Sequence, residues 1–166
     1  MPRYEIVTEH TSFHVSTRPG MAGVGARVRG VTGHFDAAIS DDGQVDLDEP
    51  VSGSFTMTVD DLETGNRLVN AGVRQFLGSG DEVAVAGRIL GARARDDGRT
   101  QLSMAVDIRD RTVKVVGMGR LRLDHEQRLE AAGDTMCDPR AFGVPLPPLV
   151  NLMVHVRWRI ILRAAD

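Results

Sequence analysis

The sequence predicts an all-β domain, an antiparallel barrel of about eight strands with one short helix, spanning residues 1–166 as a single unit. Three observations predict it. Apolar residues alternate with polar ones through run after run, turn signals separate the runs, and only one segment carries a helical stripe.

The alternation is plainest near the C-terminus. Val150, Leu152, Val154, Val156, Trp158, Ile160 and Leu162 share one parity, and Asn151, His155, Arg157, Arg159 and Arg163 the other, with Met153 and Ile161 as exceptions. Period two over so long a run is a strand with one apolar face, because a helix would spread the arginines around its cylinder. Leu102, Met104, Val106 and Ile108 alternate in the same way with Gln101, Ser103, Ala105 and Asp107. Val113, Val115, Leu121 and Leu123 form another inward set, with Gly117 and Gly119 on the same parity. Glycine there marks a bend, a bulge, or room for a ligand or side chain. Shorter sets are Phe13 and Val15; Val31, Phe35 and Ile39; Phe55, Met57 and Val59; and Val83, Val85 and Ile89.

Asp41-Asp42-Gly43 and Asp96-Asp97-Gly98 read as hairpin turns, Arg109-Asp110-Arg111 as a tight corner, and Glu9-His10-Thr11 and Asp48-Glu49-Pro50 as further breaks. Short strands at this spacing build an up-and-down barrel or a sandwich, and closure removes exposed edges. Between Thr64 and Gly78, Val69, Val73, Phe76 and Leu77 fall at helical spacing and predict a helix that caps one end. Residues 125–148 read as irregular, because Pro139, Pro145, Pro147 and Pro148 oppose regular structure; Phe142 and Leu146 are placed to tuck into a barrel mouth.

A chain of 166 residues, 42% hydrophobic and 26% charged, buries a core without staples. The formal net charge of −3 argues against a nucleic-acid partner. Lys114 is the single lysine, so arginine carries nearly all positive charge. Arginine serves phosphate recognition, but it is also what high-GC coding supplies, and that plainer reading is taken. The lone Cys137 excludes an internal disulfide and a Cys-rich zinc site, and an ordinary structural thiol is expected. No signal peptide opens the chain and no apolar run is long enough to span a bilayer, so a cytoplasmic protein is expected.

Catalytic and cofactor motifs fail on inspection. Gly23-Val24-Gly25 lacks the third glycine of a dinucleotide loop, and Val31 stands where a phosphate-binding loop needs lysine. His125-Glu126 lacks the second histidine of a zincin, and His10, His14, His34 and His155 show no metal spacing. The acidic run Asp41, Asp42, Asp46, Asp48 and Glu49 lacks EF-hand spacing and reads as a solvated hairpin. No Gly-x-Ser-x-Gly element is present. Neither cofactor nor metal is expected. What remains is the apolar faces, rich in Val, Ile, Leu and Met with aromatics at only 4%, a lining suited to an aliphatic chain. An eight-stranded barrel is just wide enough to fill with side chains or to hold one small ligand, and pattern alone leaves both open.

Several pieces, in order, resemble the YceI-like lipid-binding family. They are Tyr4-Glu5-Ile6 followed by Thr11-Ser12-Phe13-His14-Val15, then Gly30-Val31-Thr32-Gly33-His34-Phe35. Val59-Asp60-Asp61-Leu62-Glu63-Thr64-Gly65-Asn66 with Phe76-Leu77 follows, and then Arg140-Ala141-Phe142-Gly143-Val144. The resemblance implies a lipocalin-like barrel, a tunnel for a polyisoprenoid or quinone-like amphiphile, and often a homodimer. Two departures stand out: Gly78-Ser79-Gly80-Asp81-Glu82 replaces the family's acidic-aromatic-proline stretch, and family members are usually exported.

The expected function is therefore binding, transport or sequestration of an isoprenoid-like lipid, without catalysis. The expected lining is Phe13, Val15, Phe35, Phe55, Met57, Val85, Met104, Val106, Val156 and Trp158, with Phe76 and Phe142 at the ends. Two alternatives are kept. One is a barrel isomerase or cyclase using His34 and Asp36, which requires that pair to face inward. The other is a filled barrel acting as an interaction module.

Overall fold

The computed structural model describes residues 1–18, 26–28, 30–58, 62–63, 83–143 and 153–166. Its strands are β1 (Arg3–Ile6), β2 (Ser12–Arg18), β3 (Ala26–Val28), β4 (Thr32–Asp36), β5 (Ser52–Thr58), β6 (Leu62–Glu63), β7 (Val83–Ala94), β8 (Thr100–Ile108), β9 (Arg111–Leu123), β10 (Leu129–Cys137) and β11 (Met153–Ala164). They form one antiparallel sheet in the order β1-β4-β5-β7-β8-β9-β10-β11-β2-β3-β6, closed by a β1–β11 pairing. β1 and β2 both pair with β11, and β3 and β4 run alongside them in the same way. Those four short strands therefore make two broken staves, and the barrel has eight staves with β6 as an extra strand on β3.

The break between β1 and β2 is a 3₁₀ turn, Thr8–His10. Thr8 Oγ1 donates to the Val31 carbonyl at 2.9 Å, and Thr11 Oγ1 accepts from the Ile161 amide at 3.3 Å. The turn explains Ile161, the residue that broke the alternation of β11. Ile161 sits on the outer parity, yet it is buried beside this turn, with its carbonyl taking the Val7 amide at 2.8 Å.

The hairpin turns at 96–98 and the corner at Arg109 lie where the sequence expects them, with Gly98 and Arg109 at positive φ. The acidic run of residues 41–49 sits in the β4–β5 connection, where carboxylates organise the loop itself. Asp42 accepts from the Ser40 hydroxyl and the Gln44 amide, and Asp46 accepts from the Asp48 amide at 3.0 Å. The helix expected between Thr64 and Gly78 lies outside the described residues, as does Leu146. Among the described residues the helical elements are two 3₁₀ turns.

One expectation is corrected. Residues 129–137 are not irregular: they form β10, paired with both β9 and β11 along its length. The segment Leu129-Glu130-Ala131-Ala132-Gly133-Asp134 is poor in β-branched and aromatic residues, so its own preference for a strand is weak. Pairing on both sides supplies what propensity lacks, and the prolines begin only at Pro139.

Two apolar clusters occupy the interior. One joins Tyr4, Phe35, Ala37, Val51, Leu129 and Leu162, with Ile39, Val45 and Leu47 packed on it, at the end that holds the chain termini. The other joins Phe13, Val31, Met57, Leu102, Ala131 and Trp158 further along the barrel.

Candidate functional site: an apolar cavity in the barrel

The second cluster surrounds a space rather than filling it. A cavity of about 310 Å³ runs through this part of the barrel, toward the end where Ile108, Cys137, Pro139 and Phe142 lie. The inward parity of each strand builds its wall. β2 supplies Phe13 and Val15, β4 Phe35, β5 Phe55 and Met57, β7 Val85, β8 Met104 and Val106, and β11 Val156 and Trp158. Phe142, buried, reaches the wall from a 3₁₀ turn, Pro139–Phe142. Phe76 lies outside the described residues.

That turn is built locally. The Asp138 side chain caps it by accepting from the Arg140 amide at 2.9 Å, Pro139 pre-sets its first turn, and Gly143 ends it at a φ of 83°. These three residues aim Phe142 into the barrel.

The wall depends on missing side chains as much as on present ones. Trp158 on β11 is opposite Gly133 on β10, which is opposite Gly119 on β9. A Cβ on Gly133 would sit 2.8 Å from Trp158 Cζ2 and 2.3 Å from the Met118 carbonyl oxygen, and one on Gly117 would sit 3.3 Å from the same ring carbon. The glycines thus leave the space that the indole occupies. The Phe55 ring uses Gly87 in the same way, and it meets Phe13 with ring centroids 6.2 Å apart.

The sequence reading missed Ala131, Thr135 and Cys137 because it missed β10, and it missed Pro139 and Ile6. Leu102, Ile108, Val115, Leu121, Val154, Ile160 and Leu162 also line the space; they carry the inward parity, which is a signal the sequence did contain. Few polar side chains reach the wall. Thr135 Oγ1 is satisfied by the Val116 carbonyl. Burial, and then the neighbouring Asp138 charge, push the Cys137 thiol above its ordinary pKa, so it stays protonated and behaves as a small apolar group. Trp158 Nε1 is buried without a hydrogen-bond partner among the described residues.

His34 and Ser54 face each other across β4 and β5 and border the cavity, but they hold the parity opposite to Phe35 and Phe55. Their polar atoms are engaged on the outer face. Ser54 Oγ is 3.3 Å from His34 Nδ1, His34 Nε2 is 3.5 Å from Asp36, and Asp36 is 2.8 Å from Arg3, whose side chain is exposed. The hydrogen bond from Arg3 holds the Asp36 carboxyl below its usual pKa. The His34–Asp36 pair therefore does not face inward as an acid–base pair would need to. His14 lies on the outer parity of β2, and His155, on the outer parity of β11, is 3.9 Å from Asp134. Among the described residues no group of three or more His, Cys, Asp or Glu side chains is placed to hold a metal ion.

No family profile matches the chain, and no curated protein matches it. Solved structures do. BcnA of Burkholderia cenocepacia superposes with a TM-score of 0.74 at 9% identity, over 94% of this chain and 98% of that one. A polyisoprenoid-binding domain from Saccharophagus degradans, implicated in plant cell wall breakdown, superposes with a TM-score of 0.69 at 11% identity, over 98% of both chains. The Campylobacter jejuni YceI protein gives 0.60 at 7% identity, over 90% of this chain and 89% of that one. At these identities the likeness is one of fold: the chain has the YceI-like barrel that its sequence resembles.

Proposed function

We propose that this protein binds an apolar, isoprenoid-like lipid inside its barrel and carries or sequesters it. One observation carries the reading: the barrel is hollow where its wall is almost wholly hydrocarbon. A cavity near 310 Å³ is at the lower edge of the range that takes small ligands. Burial of a tail is worth about 0.8 kcal/mol per CH₂, and a wall of Val, Ile, Leu, Met and Phe offers that without directional bonds. Met57 and Met104 are flexible enough to follow a branched chain. The polyisoprenoid-binding domain that shares the fold supports the ligand class by analogy. The homodimer implied by the resemblance belongs to the same proposal, and light scattering on the purified protein tests it.

The first test is native mass spectrometry on gently purified protein, followed by extraction of any bound lipid. A stoichiometric prenyl or other long-chain species is expected. Protein that arrives empty and takes up neither prenols nor quinones in vitro would overturn the reading. Met104→Arg places an unpaired charge in the wall and should abolish uptake; full uptake by the folded variant would remove Met104 from the ligand's path.

A further inference from the structure

The outer wall of the barrel carries a groove of opposite chemistry to the cavity. The outward parity of β9, β10 and β11 stacks into rows by register. Arg122 is opposite Glu130; Arg120, Ala132 and Arg159 share the next row; and Met118, Asp134 and Arg157 share the one after. The groove runs over these rows and takes in Arg95 and Arg99 from the β7–β8 hairpin. Its floor is low, because Ala132, at its middle, contributes only a methyl group.

Among the described residues six arginines line it against two carboxylates, Glu130 and Asp134, in a chain whose formal net charge is −3. Some of this charge is matched. Glu130 bridges Arg122 at 2.7 Å and Arg159 at 2.8 Å, and Asp97 holds Arg99 at 2.7 Å. Arg95 donates to the Gln101 side chain at 3.4 Å and lies within electrostatic reach of Asp97. Arg120 and Arg157, both exposed, have no hydrogen bond or ion pair among the described residues. Arg157 lies opposite Asp134 in register, but Asp134 makes its close approach to His155, at 3.9 Å. Arg120 and Arg157 stand two strands and one row apart, about 12 Å at the backbone, a span that two arginine side chains can close over one oxyanion. Guanidinium forks match phosphate oxygens in pairs, which ammonium groups do not.

We propose that this groove binds a phosphate-bearing group, a phosphomonoester or diphosphate that is either free or the headgroup of an anionic lipid. Arg120 and Arg157 contact it directly, and the Arg122–Glu130–Arg159 bridge holds the frame. The site lies outside the cavity and does not depend on what the cavity holds.

The test uses the full chain. Inorganic pyrophosphate is titrated calorimetrically, and co-sedimentation compares phosphatidylcholine vesicles with and without phosphatidylglycerol. Pyrophosphate binding that weakens with added salt, and by about tenfold or more in Arg120→Ser/Arg157→Ser, supports the site and a free ligand. Binding only to the phosphatidylglycerol vesicles, lost in the same variant, supports it with a lipid headgroup as the source. Arg88→Ser/Lys114→Ser makes the same charge change outside the groove and should bind as the parent does. Absence of both kinds of binding, or equal losses in the two double variants, would overturn the proposal. Arg88, Lys114, Arg120 and Arg157 are exposed and make no ion pair among the described residues, so both melts should match the parent's.

Discussion

The two halves of the barrel interior are built from the same strands, yet one is packed and the other is hollow. At the end holding the termini, Ala37 and Leu129 are fully buried and Val51 nearly so, away from the cavity wall. Toward Cys137 and Phe142, the inward side chains stop short of one another and leave the cavity. The strands do not account for the difference. The β4–β5 connection folds Ala37, Ile39, Val45, Leu47 and Val51 over the filled end, pinned by an Ile39–Val45 bridge. An eight-stranded barrel stands at the threshold between filling and holding a ligand, so a few apolar residues from a connection decide which outcome each half takes.

The largest expected effect is at the filled end. Leu129→Ala removes a side chain from close packing and should cost about 4 kcal/mol in denaturant unfolding, toward the upper part of the range for such truncations. Met104→Ala, in the hollow half, should cost about 2 kcal/mol, because a residue beside an existing void has fewer contacts to lose. Equal losses for the two would break the contrast between the halves. The Met104→Ala cavity should also accept a bulkier chain than the parent's, which competition between prenols of different length would show.

A smaller effect concerns the wall outside. Burial raises the Glu130 pKa, but the bonds from Arg159 and Arg122 outweigh it and hold the carboxyl below its usual 4.5. A depressed folded-state pKa contributes stability above the unfolded value and loses it as pH falls through the folded one. The parent should therefore lose an increment of stability in acid, below the ordinary glutamate range, that Glu130→Gln lacks. Melts of the pair at neutral and acid pH that stay a constant distance apart would show that the bridge adds nothing.

Much of the inner surface was legible because a strand writes its two faces into its parity. Phe55 and Met57, Met104 and Val106, and Val156 and Trp158 were all assigned from alternation, and all lie on the cavity wall. β10 was not legible. Its alanines and glycine carry no face of their own, and their smallness makes sense only beside the Trp158 indole, which comes from another strand. Ile161 misled for the same reason, since its cover is a turn some 150 positions away in sequence.

By itself the sequence determined the fold class, the inward residues of the long strands and the YceI-like resemblance. These follow from local periodicity and turn chemistry, which neighbouring residues encode. The tertiary structure alone decided that half the barrel is hollow, that His34 and Asp36 face outward, and that arginines from β9, β11 and a hairpin share one groove. Each of those depends on register and closure, where residues far apart in the chain meet, and a one-residue change in register turns every side chain to the other face.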